Sequence, residues 1–124
     1  MARAFITGLS GTAISDSERQ FLREACPWGL ILFKRNIDTP LQVAKIVNDF
    51  RDCVGHQEAP VLIDQEGGRV QRLGPPHWPA YPPGAVFGEL YDRDASAGIA
   101  AAKLGAQRTI PEHGVHRGAA ESAR

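Results

Sequence analysis

The sequence carries no excess charge of either sign, with fourteen acidic residues balanced by fourteen basic ones. That balance leaves no net field to draw nucleic acid or an anionic membrane surface, so neither is expected as a partner. Cysteine is scarce: Cys26 and Cys53 stand apart in no metal or redox spacing. This argues against a disulfide framework and for two buried free thiols. Long apolar runs are missing too. Nothing approaches the length of a membrane span, and the apolar part of the N-terminal "MARAFITGLSG" is too short for a signal segment. A cytoplasmic chain is the expectation. No metal-ligand cluster, cofactor fingerprint or nucleophile elbow is visible, so neither metal nor cofactor is expected.

What is present suits a soluble globular fold, with 43% apolar and 23% charged residues in 124 positions. That length is one ordinary domain or part of a larger one. Ala4 to Thr7 reads as a first strand. Ser15-Asp16-Ser17-Glu18 has the form of a capping box. The helix it opens runs to Arg23 or Glu24, stops near Pro27, and turns Phe21, Leu22 and Ala25 inward. "GLILFKRN", Gly29 to Asn36, starts as an unbroken apolar run, which suits a strand covered on both faces. Thr39 caps a second helix with Pro40 at its first position. Val43, Ile46, Val47, Phe50 and Val54 mark its inner face, and Gly55 its stop. "PVLI", Pro60 to Ile63, is a third strand.

Gly74 to Gly84 holds five prolines and reads as a rigid extended loop. Asp94 can cap a last helix, "ASAGIAAAKLGAQ", with Ile99, Ala102 and Leu104 or Ala106 on its inner face. Strands alternating with helices are the grammar of a parallel α/β protein, either an open doubly wound sheet or a barrel. Residues 108–124, "RTIPEHGVHRGAAESAR", break that rhythm and supply no fourth strand.

In parallel sheets ligands gather at the carboxyl ends of the strands. Asp64, directly after the third strand, falls at that end. Ionised, it offers only acceptors, and two oxygens can take bonds from neighbouring hydroxyls of one ligand. Gly67-Gly68 permits a turn of either hand, and Arg69 and Arg72 can return toward Asp64 and Glu66 or toward a ligand. An internal ion-pair network is the plainer alternative. A sharper one makes Asp64 and Glu66 the two carboxyls of a glycosidase, which stand roughly 5–9.5 Å apart. Two carboxylates from one loop, however, are poorly placed to bracket a sugar.

"GLILFKRNIDTPLQV", "PVLIDQEGGRVQRL" and "PPHWPAYPPGAVFGELY" together closely resemble the N-terminal part of bacterial β-N-acetylhexosaminidases of glycoside hydrolase family 3. The resemblance runs from about Ala4 to Gln107 and is nearest to the cytoplasmic type that recycles cell-wall fragments. It implies the N-terminal portion of a (β/α)8 TIM barrel, about three βα units and incomplete, over residues 1–107, with a divergent tail at 108–124. The implied activity is removal of terminal N-acetylglucosamine from muropeptide-derived sugars with retention of configuration. It also implies that Asp64 and Arg72 contact the sugar, while Glu66, Gly67, Gly68 and Arg69 shape the loop.

The family's nucleophile and its acid/base histidine have no match here, so no catalytic residue is assigned and the chain alone is expected to be inactive. His113 and His116 do not fit the family's histidine loop and read as solvated tail residues. His56 falls in a connection and His77 in the proline loop, where Trp78 and Tyr81 are expected to pack. A truncated or frame-shifted product is the expectation for the tail. With three strands the barrel cannot close, so marginal stability follows from bare strand edges. The alternative to an enzyme piece is a non-catalytic sugar-binding remnant, or a half-barrel that needs a partner chain.

Overall fold

In a computed structural model of the chain, residues 1–109 are described. The elements run β1 (Arg3–Thr7), α1 (Asp16–Ala25), β2 (Pro27–Leu32), a 3-10 turn (Lys34–Asn36), α2 (Pro40–Val54), β3 (Val61–Ile63), β4 (Gln65–Gly67), β5 (Val70–Gln71), α3 (Gly84–Arg93) and α4 (Ala95–Thr109). Strands β1, β2 and β3 form one parallel sheet in that order, with Thr7 opposite Leu30 and Leu32 opposite Ile63. The expected parallel α/β arrangement is therefore present. No described helix is long and apolar enough to cross a membrane.

The helices start and stop where their sequences dictate. Ser15 Oγ accepts from Glu18 N, and Glu18 Oε2 accepts from Ser15 N at 2.9 Å, which closes the capping box of α1. Cys26, left-handed at φ 44°, ends that helix by donating its N–H to Leu22 O. Thr39 caps α2 ahead of Pro40, and Gly55 ends it at φ 69°. Val43, Ile46, Val47, Phe50 and Cys53 of α2 then pack with Leu30 and Leu32 of β2 and Val61 of β3 in one apolar cluster. Burying side chains of this size contributes about 1.5–3 kcal/mol each.

The sheet is covered unequally. Leu30, Leu32 and Val61 are fully buried beneath the helices. On the other face Ile6 stays 43% exposed, and Ile31 and Leu62 are half-buried. The continuous apolar runs thus overstate the cover that the described residues provide. Phe21 departs from expectation in the same way. It is 47% exposed, with its ring centroid 6.4 Å from that of Phe5 on the edge strand β1, while Leu22 and Ala25 are the buried residues of α1. Both cysteines are free thiols; Cys53 is buried, Cys26 only half-buried.

Three further expectations need correction. The second strand begins earlier, at Pro27, and ends at Leu32; Lys34–Asn36 turns instead, because Asn36 Oδ1 accepts from Phe33 N at 2.9 Å. The proline loop is followed by two helices rather than one. Finally, Ile99, Ala102, Leu104 and Ala106 of α4 all face solvent. The contact with α3 is made by small residues: a Cβ on Gly98 would meet Tyr91 Cα at 2.5 Å, and one on Gly105 the Phe87 ring at 3.0 Å. Bulky residues are kept off that face because the helix axes approach too closely for them. Helix α4 continues to Thr109, two residues past the end expected for that helix at Gln107; His113 and His116 lie outside the described residues.

This close approach sets the sign of a substitution. Glycine in an open helical site costs roughly 1 kcal/mol relative to alanine. Gly88→Ala, with nothing near its Cβ, should raise the thermal midpoint, whereas Gly98→Ala should lower it. Paired thermal melts followed by circular dichroism check this, and a rise for both would contradict the packing.

Candidate functional site

The carboxyl ends of β1, β2 and β3 lie side by side, and the loops that leave them are tied together by side-chain amides. Asn36 is the one fully buried polar side chain among the described residues. Its Nδ2 donates to Leu9 O at 3.0 Å and to Gly11 O at 2.8 Å, which joins the loop after β2 to the loop after β1. Gln42 Nε2 adds bonds to Thr12 O and Asn36 O at 2.7 and 2.9 Å. At the outer end of the first loop, Glu18 Oε1 accepts from Ser10 N at 2.7 Å. Burial pushes the Glu18 carboxyl upward, but the bonds from Ser15 and Ser10 together outweigh it and leave the group below its ordinary range.

Strand β3 leads directly into Asp64, so that carboxylate stands on the same rim. Arg72 Nη2 donates to Asp64 Oδ2 at 3.3 Å, with the Asp64 side chain 43% exposed. That is long for a charge-assisted bond, which is usually about 2.7–2.9 Å. Among the described residues no donor engages Oδ1, so half of the carboxylate remains open. Glu66 and Arg69 are exposed and take no part in the described ion pairs. The plain ion-pair alternative is thus realised in one pair, not as a network.

The chain returns to Asp64 through a hairpin that the sequence reading did not assign. Strands β4 and β5 pair antiparallel around Gly68 and Arg69. Gln65 Oε1 accepts from Arg72 N and Leu73 N, both at 3.0 Å, which fixes the backbone that carries the arginine. Gln71 Nε2 donates to Pro79 O at 2.7 Å, and its Oε1 accepts from Tyr81 N at 2.9 Å. Gly67 and Gly68 are left-handed at φ 85° and 59°, and a Cβ on Gly67 would collide with Pro82 O. Gly68 N donates to Tyr81 O at 2.7 Å. The two glycines let the proline segment lie flat against the hairpin.

Trp78 and Tyr81 pack that segment, as expected. Trp78 sits against the apolar cluster, and Tyr81 OH donates to Arg108 O at 2.9 Å. His56 and His77 are exposed, His56 in the connection after α2 and His77 in the proline loop. The residues that sequence reasoning missed are the organising amides Asn36, Gln42, Gln65 and Gln71, together with Phe33 and Arg35. The Phe33 ring lies 4.7 Å from the Arg35 guanidinium carbon and 6.0 Å from that of Arg72. A depression of about 220 Å³ lined by Met1, Cys26, Pro27 and His56 opens at the amino ends of the strands. It is on the opposite rim from Asp64.

No protein-family model matches the chain. A "Beta-hexosaminidase" of Xanthomonas axonopodis pv. citri is 40% identical over 109 residues, covering 86% of this chain and 31% of that protein. One from Bordetella avium is 33% identical over 91 residues, 73% of this chain and 26% of the relative. Among solved structures, NagZ from Neisseria gonorrhoeae in complex with N-trifluoroacetyl-D-glucosamine superposes with TM-score 0.79 at 26% identity, over 88% of this chain and 33% of that one. A glycoside hydrolase family 3 beta-N-acetylglucosaminidase from Paenibacillus sp. str. FPU-7 gives TM-score 0.60 at 31% identity, over 68% and 16%. The chain spans about a third of the length of the curated relatives it matches.

The hairpin geometry yields a stability test. Gly67→Ala adds a left-handed non-glycine residue and a backbone collision, together costing about 2–3 kcal/mol. Gly74→Ala, where the nearest atom to a Cβ is 3.9 Å away, should stay within about 0.5 kcal/mol of the parent. Urea unfolding of the two variants separates these outcomes.

Proposed function

Since the chain is related over most of its length to the glycoside hydrolase family 3 β-hexosaminidases, we propose that its carboxyl rim is the sugar-holding part of such an enzyme. The observation that carries this reading is the Asp64–Arg72 pair, aimed out of the sheet beside the end of β3 with one carboxylate oxygen open. Asp64 accepts bonds from hydroxyls of a terminal N-acetylglucosamine unit, and Arg72 orients the carboxylate and donates to the same sugar. The loose 3.3 Å contact lets a hydroxyl take up part of the bonding without breaking a tight ion pair.

Residues 1–107 are then the opening portion of a (β/α)8 barrel, about three βα units. Three points support this: sequential order and parallel pairing of β1, β2 and β3, and α1 and α2 on one side of their sheet. The whole enzyme of which this is a part removes N-acetylglucosamine from cell-wall muropeptide sugars in the cytoplasm, a setting in keeping with two free thiols. The partner of Asp64 is a guanidinium rather than a second carboxyl. This suits ligand holding and not the paired acid and nucleophile of a retaining glycosidase, which stand about 5–5.5 Å apart. No turnover is expected from this chain by itself. The partly bare face of Ile6, Ile31 and Leu62 favours a second reading, in which a partner chain supplies the remaining strands.

Calorimetric titration of N-acetylglucosamine into the chain and into Asp64→Ala tests the reading. Loss of a charge-assisted bond in the site weakens binding by about tenfold or more. Equal heats for the two proteins would remove the proposal, and nitrophenol release from an aryl N-acetylglucosaminide by the chain alone would refute the division of labour.

A further inference from the structure

The one side-chain hydrogen bond described for Arg72 does not account for the placement of its guanidinium. Its Nη2 reaches Asp64 only at 3.3 Å, and its Nε is buried without an acceptor. A buried, unpaired guanidinium N–H costs free energy unless another group takes its place. The neighbour that can do so is the face of Phe33, whose ring centroid is 6.0 Å from the Arg72 guanidinium carbon. That distance is at the limit of a cation–π contact, which is strengthened when the cation is partly desolvated, as this one is.

Phe33 follows the last residue of β2. One step beyond the Leu32–Ile63 register pair, it is level with Asp64, which follows β3. The ring is itself held. Arg35 stacks on it at 4.7 Å and donates from Nε to Leu9 O at 2.8 Å, while Phe33 N donates to the buried Asn36 amide. A Cβ on Gly8 would meet Arg35 Nη2 at 3.3 Å and the Phe33 ring at 3.5 Å, so the end of β1 closes against the same stack. The three strand ends are thus bridged in sequence by Gly8, Arg35, Phe33, Arg72 and Asp64.

We propose that Phe33 is a positioning residue for the sugar site: its π-face, pinned by Arg35, holds the Arg72 guanidinium in the orientation that presents Asp64 to a hydroxyl-bearing ligand. The inference rests on the sugar-holding reading above and adds a residue that makes no ligand contact. An apolar side chain of similar volume would fill the space and lose the orientation.

The test compares the parent chain with Phe33→Leu, Phe33→Tyr and Asp64→Ala by titration with N-acetylglucosamine, alongside the Arg72 Nε–H resonance in the ligand-free proteins. Phe33→Leu should weaken binding about three- to tenfold, and Phe33→Tyr should restore it to within about twofold. In the parent, ring shielding should move the Arg72 Nε–H resonance away from the free-arginine position, and Phe33→Leu should return it. Binding by Phe33→Leu equal to that of the parent, with Asp64→Ala still deficient, overturns this inference alone. No binding by the parent overturns the sugar site and this role with it. If Phe33→Leu fails to fold, an unshifted Nε–H resonance in the parent is by itself sufficient to reject the ring contact.

Discussion

The buried carboxamide of Asn36 is the constraint on which the rim depends. It has no contact with water, yet its amide makes three backbone bonds, two to the loop after β1 and one to the turn after β2. A buried amide is tolerated only when its donors and acceptors are paired, so the side chain locks two loops into a single arrangement. Without that lock the strand ends would carry independent loops, and the stack of Arg35, Phe33 and Arg72 would lose its fixed base.

A second set of amides does the same work around Asp64. Gln65 and Gln71 accept from and donate to the backbone of the hairpin and the proline segment, while Gly67 and Gly68 remove the atoms that would hold the two apart. Charges can therefore stand at the end of an apolar strand for a physical reason. The strand buries Val61 in the cluster with α2, and the hairpin turns the chain back so that a cation meets the carboxylate beside open space. Rigid backbone carries the pair, and the loose contact within it leaves room for a ligand.

The parallel α/β grammar, the caps at Ser15 and Thr39 and the inner face of α2 were legible because they are local: a capping oxygen and an i, i+3, i+4 pattern lie within one turn. Asp64 was legible as a rim residue for a related reason, since a continuous apolar strand has only one carboxyl end. The rest depended on contacts distant in sequence. Asn36 bonds to carbonyls more than twenty residues away, and no composition or periodicity marks such a partner. The helical spacing of Val86, Phe87, Leu90 and Tyr91 in α3 was present but masked by flanking prolines and two glycines. Small residues on the inner face of α4 misled for the opposite reason, because close helix packing selects glycine where burial alone would favour leucine.

The account stands on ligand meeting this chain at the carboxyl rim rather than at the depression on the other end of the sheet. Backbone amide shifts recorded during addition of N-acetylglucosamine locate the contact directly. The account predicts that the largest changes cluster at Asp64 and Arg72, with smaller ones relayed to Phe33; changes centred on Cys26 and His56, or none at all, would contradict it.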